Sequence, residues 1–185
     1  TLSLHDALPI SDTTHSMSRY GPNNIKIVSV VQGLKNILGN EVNVDYLKGC
    51  ETIDATWPES EILPQPLTVK ENEDINAAVE KAKLSDVIVA VLGEDESLVG
   101  ESRSRTSLEL PGRQLQLLQA LYATGKPVVL VLINGRPLTI NWADKNIPSI
   151  IEAWFPGEDG GNAIADAIFG NYNPGGKLSM TFPKS

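Results

Sequence analysis

Two uninterrupted apolar runs, Val87–Leu92 and Val128–Ile133, constrain this chain more than any other feature. A strand covered on one face alternates apolar and polar residues, whereas a run of six with no polar member belongs to a strand buried on both faces. Between the runs lie a polar stretch, Gly93–Leu110, and a helical pattern from about Pro111 to Ala123. Leu115, Leu118 and Tyr122 mark one face of that helix, and Gly125 and Pro127 end it. Strand, helix, strand in this order is a parallel crossover unit. The alternation extends both ways. Ile27, Val30, Val31, Leu34, Ile37 and Leu38 recur at helical spacing over residues 26–38, and Val42, Val44 and Tyr46 then alternate as a short strand. Residues 51–70, interrupted by Pro58, Pro64 and Pro66, read as an irregular connection. Asn72 reads as the N-cap of a helix over Glu73–Lys83 with Ile75, Ala78, Val79 and Ala82 on one face. Downstream, Leu138–Asn141 reads as a short strand, Ile150–Trp154 as a buried one, Asn162–Phe169 as a helix ended by Gly170, and KLSMTF as strand-like. The expected fold is an α/β three-layer sandwich: a mostly parallel sheet of about six strands with helices on both faces.

The 185 residues have room for one domain, expected to occupy 25–185. Residues 1–24 mix polar residues with Pro and Gly, show no apolar period, and read as an irregular leader outside the core. Their opening, TLSLHDALPIS, resembles translated sequencing-adapter read-through more than a protein segment and is set aside from fold reasoning. His5 and His15 fall in this leader without the cysteine or carboxylate spacing of a zinc site, and Cys50 is the single cysteine, so neither a metal site nor a disulfide is expected. A formal charge of -8 has the wrong sign for a phosphate-binding face, which argues against a nucleic-acid partner. Neither apolar run approaches the roughly 20 residues that cross a bilayer. No signal peptide is visible, and both ends read as cuts.

In open parallel sheets ligands approach the carboxyl ends of the strands, which directs attention to the loops after Leu92, Ile133 and Trp154. The first, GEDESLVGESRSRTSLEL, runs 18 residues where about 2–6 are usual. It carries Glu94, Asp95, Glu96, Glu101 and Glu109 with Arg103 and Arg105, so it offers either a carboxylate with cationic neighbours or a solvated, charge-balanced surface. Asn134-Gly135-Arg136-Pro137 reads as a turn in which Arg136 pairs a neighbouring acid. FPGEDGGN puts glycines at a helix start; Glu158 and Asp159 would repel a phosphate there, so close packing of the turn is the reading. Trp57, Trp142 and Trp154 could stack on sugar rings, although Trp154, placed in a strand, reads as core. No GxGxxG or GxxxxGKS motif supports a flavin or nucleotide domain.

Taken together, GEDESLVGESRSRTSLELPGRQ, GKPVVLVLINGRPL and EAWFPGEDGGNAIADAIFGNYNPGGKLSMTFP resemble the carboxy-terminal α/β-sandwich domain of glycoside hydrolase family three, as found in bacterial periplasmic β-glucosidases and related β-xylosidases. The likeness runs from about Ile25 to Pro183. It implies a preceding TIM-type barrel carrying a nucleophilic aspartate, a retaining exo-acting mechanism on β-linked oligosaccharides or aryl glycosides, no cofactor, and a periplasmic or secreted location. It places the general acid/base on Glu101, with Glu96 and Glu94 as second and third choices, and a substrate-binding arginine on Arg105. Many members read Glu-Gly-Tyr-Asp-Arg before Leu-Pro; here Glu101-Ser102-Arg103-Ser104-Arg105 precedes Leu110-Pro111, so Arg103-Ser104 replace Tyr-Asp and sugar preference stays open. A stand-alone carbohydrate-binding or protein-docking module is the alternative. Without the barrel, the sandwich is expected to leave Glu101 exposed and to be hydrolytically inert.

Overall fold

The computed structural model describes residues 1–6, 20–21 and 25–184. Its spine is a five-stranded parallel sheet in the order β2-β1-β3-β4-β5, built from β1 (Leu2–Asp6), β2 (Val44–Lys48), β3 (Val87–Gly93), β4 (Val128–Ile133) and β5 (Ser149–Glu152). The helices are α1 (Val30–Leu38), α2 (Val69–Lys83), α3 (Gln114–Tyr122), α4 (Asn141–Asn146) and α5 (Gly160–Phe169). On β3, Ile88, Ala90 and Leu92 pack with α2 and α3 through Ile75, Ala78, Leu117, Leu118 and Leu121. Val89 and Val91 point the other way, onto Val30, Leu34 and Ile164 of α1 and α5. Burial on both faces is why the run is apolar without a break. The α/β layering and parallel sheet are as expected.

The leader reading is corrected at its start. Leu2–Asp6 is not outside the core: it is an inner strand, bonded to β2 on one side and β3 on the other, and wholly buried. Leu2 and Leu4 join the α1/α5 cluster, while Ser3 and His5 face the opposite side, where Ser3 Oγ lies 2.6 Å from His5 Nε2. With Ser3, His5 and Asp6 making three of its five positions polar, the segment is too short for its alternation to stand out. Residues 7–19 and 22–24 of the expected leader, His15 among them, lie outside the described residues.

Other boundaries move for local reasons. Helix α2 starts three residues before Asn72, at Val69, because Thr68 forms a reciprocal capping box with Glu71. Helix α1 starts at Val30 with Ser29 as its cap. Helix α3 buries Gln114, Leu117, Leu118 and Leu121, and of the expected face only Leu118 is buried. The described residues form five strands where about six were expected. Leu138–Asn141 makes one bridge, Thr139 to Glu109, before α4 begins, and residues 177–182 form no strand. Trp154 lies beyond β5 in a turn, with φ 51°. The glycines at the start of α5 do serve packing. A Cβ on Gly33 would stand 2.0 Å from the Gly161 carbonyl oxygen, so α1 and α5 touch backbone to backbone.

The chain steps from β1 to β2 in one direction and from β1 through β3 to β5 in the other. This reversal leaves a topological switch point between β1 and β3, at the carboxyl edge of the sheet. The long loop leaves β3 there.

Candidate functional site

The loop begins at Gly93, whose φ of 140° is open to glycine and whose Cβ, were there one, would lie 2.0 Å from the Ile133 carbonyl oxygen. Gln114, buried at the start of α3, ties this root down: its Oε1 accepts from Gly93 N–H at 2.7 Å, and its Nε2 donates to the carbonyls of Gly93 at 2.8 Å and Thr52 at 3.0 Å. The next residue, Glu94, turns inward and is fully buried. Its Oε1 meets Arg105 Nη1 at 2.9 Å and Arg136 Nε at 3.2 Å. Arg105, 1% exposed, also donates from Nε to Glu61 Oε1 at 2.7 Å and from Nη2 to the Glu109 carbonyl at 2.8 Å, while Thr106 Oγ1 donates to Glu61 Oε2 at 3.0 Å.

Burial pushes the Glu94 carboxyl above its ordinary range, and the two guanidinium groups oppose that rise without cancelling it. For Glu61, burial also pushes up, but the hydrogen bonds and charge of Arg105 outweigh it and hold the carboxyl below the usual range. Removing one partner from such a buried pair costs about 3–5 kcal/mol, because the other charge is stranded. The base of the loop is therefore rigidly held.

Glu101 lies at the other extreme. It sits in a tight turn closed by Arg103 N–H donating to the Gly100 carbonyl at 3.2 Å, with Ser102 in the left-handed region at φ 62°. Its side chain is exposed, and its backbone N–H donates to Tyr20 Oη at 2.9 Å. Leu98 and Val99, both buried, anchor the segment just before it. Glu96 is half-buried in the preceding turn. Of the expected site residues, Glu94 and Arg105 are brought into contact as a structural pair, and Glu101 alone is carried outward on the loop's tip. The Arg105 guanidinium is engaged within the loop by Glu61, Glu94 and the Glu109 carbonyl.

Sequence reasoning did not find Glu61, Gln114 or Glu152. Gln114 was legible as the one polar residue on an otherwise apolar helical face; Glu61, 44 residues from its partner, left no local signal. Glu152, on β5, accepts from Trp154 N–H at 2.9 Å and from Asn134 Nδ2 at 3.4 Å, and burial lifts its pKa to about 7. It borders an apolar hollow of about 490 Å³ between β5 and residues 174–184, whose walls include no carboxylate of the long loop.

The family model described as "Glycosyl hydrolase family 3 C-terminal domain" matches residues 7–185. The chain belongs to glycosyl hydrolase family 3. It is 41% identical to a beta-xylosidase of Formosa agariphila over 97% of its own length and 23% of that protein's. It is also 41% identical to the periplasmic beta-glucosidase of Salmonella typhimurium, over 94% and 23%. Among solved structures, a beta-glucosidase from Listeria innocua superposes with a TM-score of 0.80 at 31% identity, covering 99% of this chain and 23% of that one. The chain thus spans about a quarter of the length of the family 3 relatives it matches, all three of which are glycoside hydrolases.

Proposed function

We propose that this family 3 domain supplies the general acid/base of a retaining exo-β-glycosidase, a β-glucosidase or β-xylosidase, and that Glu101 is the group. The observation carrying the reading is the contrast within one loop. Its base is fixed by buried ion pairs, while Glu101 is held out at its tip, on the carboxyl edge beside the switch point where ligands approach parallel sheets. Glu94 is unsuited to the task because both arginines already engage it.

Retaining hydrolysis needs two carboxyl groups about 5–5.5 Å apart, one attacking the anomeric carbon and one protonating the departing oxygen, then activating water. The resemblance assigns the nucleophile to a barrel domain, and the 23% coverage of relatives fits a sandwich working beside further structure. Docked over a barrel mouth, Glu101 would leave bulk water and face the nucleophile's negative charge, both of which raise a carboxyl's pKa toward that of a useful proton donor. Arg105 then acts through the loop's shape and not by touching sugar. The Salmonella relative is a periplasmic beta-glucosidase, which supports a periplasmic location for this chain.

The test is a chimera in which this chain replaces the matching segment of the Salmonella enzyme. Glu101→Ala should lower turnover of cellobiose about 100-fold or more, and added azide should restore cleavage of an activated aryl glucoside. Full turnover with no azide effect overturns the assignment.

A further inference from the structure

The turn after β4 reaches into the loop after β3 through one side chain. Arg136 Nη2 donates to the Leu98 carbonyl at 2.6 Å and to the Arg103 carbonyl at 3.0 Å, while its Nε faces Glu94 Oε1 at 3.2 Å. Leu98 and Arg103 bracket the turn that carries Glu101. One guanidinium therefore closes the ends of that turn onto each other and anchors the closure on a buried carboxylate. The turn that presents Arg136 is itself held: Asn134, wholly buried, donates from Nδ2 to the Arg136 carbonyl at 2.8 Å and to Glu152 at 3.4 Å. A Cβ on Gly135 would meet Phe155 at 2.8 Å and Val99 at 3.1 Å, so the two loops also pack directly.

We infer that Arg136 is a positioning residue for the acid/base, setting where Glu101 stands by clasping the carbonyls of Leu98 and Arg103. The inference rests on the assignment of Glu101 above. A lysine at 136 keeps a positive charge but has one nitrogen where arginine uses two, Nη2 on the carbonyls and Nε beside Glu94, so it can neutralise the carboxylate or hold the carbonyls but not tie one to the other, and Arg136→Lys separates clasping from charge neutralisation.

A misplaced general acid leaves a chemical signature. Departure of an alkoxide or a sugar requires a proton, whereas a dinitrophenolate leaves without one. In the Salmonella chimera, Arg136→Lys should lower kcat/KM for cellobiose about 30-fold, largely through kcat, and that for dinitrophenyl glucoside less than about 3-fold. Equal losses on both substrates would mean a merely structural role, and no loss on either would mean that Arg136 only neutralises Glu94; each overturns the inference. Glu101→Ala run beside it separates the two readings. If that variant shows no dependence on the leaving group, the assignment of Glu101 fails. If it does and Arg136→Lys does not, only the positioning role fails. Should the chimera not fold, hydrogen exchange on the 185-residue chain decides. Arg136→Lys should speed exchange of the amides of residues 99–104 about 10-fold while β3 and β4 stay protected, and unchanged loop protection overturns the inference.

Discussion

Two titratable side chains, His5 buried and Glu152 half-buried, tilt stability with pH in opposite senses. His5 has its pKa lowered from 6.5 to about 4, by burial first and by the charge of Lys81 second. Between those values the unfolded chain binds the extra proton, so stability rises with pH, by roughly 2 kcal/mol between pH 5 and 6.5. Glu152 is raised by burial from 4.5 to about 7, so in its window the folded state holds the extra proton and stability falls as pH rises. Its partial exposure discounts that fall to about 1 kcal/mol between pH 5 and 7. The parent should therefore gain only modestly over this range. Glu152→Gln should gain more steeply, and His5→Leu should lose stability with pH instead. Urea midpoints at half-unit steps measure all three, and a Glu152→Gln slope matching the parent's contradicts the account of Glu152.

Between elements, α1 and α5 meet backbone to backbone. A methyl group on Gly33 would overlap the Gly161 carbonyl, and one on Gly161 would stand 2.1 Å from the Ser29 carbonyl oxygen. Backbone cannot yield as a flexible side chain can. Gly33→Ala should cost about 1–3 kcal/mol by forcing the helices apart, while Gly175→Ala, with nothing within 4 Å, should leave the thermal midpoint unchanged. Equal midpoints for the two variants would show that the helices do not meet so closely. This contact also shows what a linear reading can and cannot see. The strands β3 and β4 were legible because burial on both faces writes itself into consecutive residues, and helices α1 and α2 because one covered face recurs at helical spacing. Strand β1 was not, since the polar Ser3 and His5, in contact along one of its faces, break the apolar signal. The site divides the same way. Loop length, acid content and strand-end placement pointed to the segment holding Glu101, but the brace depends on Glu61 and Arg136, which the fold alone brings to that loop.

For the whole molecule, the question is whether one carboxyl on a braced loop suffices for hydrolysis. The carboxylates nearest in the ion-pair network, Glu61 and Glu94, are buried and engaged by Arg105, so neither is placed to attack an anomeric carbon. Glu101 is exposed, with bulk water where a closed site would need a fixed, low-dielectric wall. On the proposed assignment, in which Glu101 is one of two required groups and stands exposed, the 185-residue chain alone should release no aglycone from an aryl β-glucoside above a buffer blank. The same chain within the Salmonella chimera should restore turnover. The comparison is informative because both samples contain the identical loop, so a difference between them reports what the rest of a family 3 enzyme adds. Turnover by the purified chain alone, abolished by Glu101→Ala, would mean that a second carboxyl within these residues completes the site and that the division of catalytic groups between two domains is wrong.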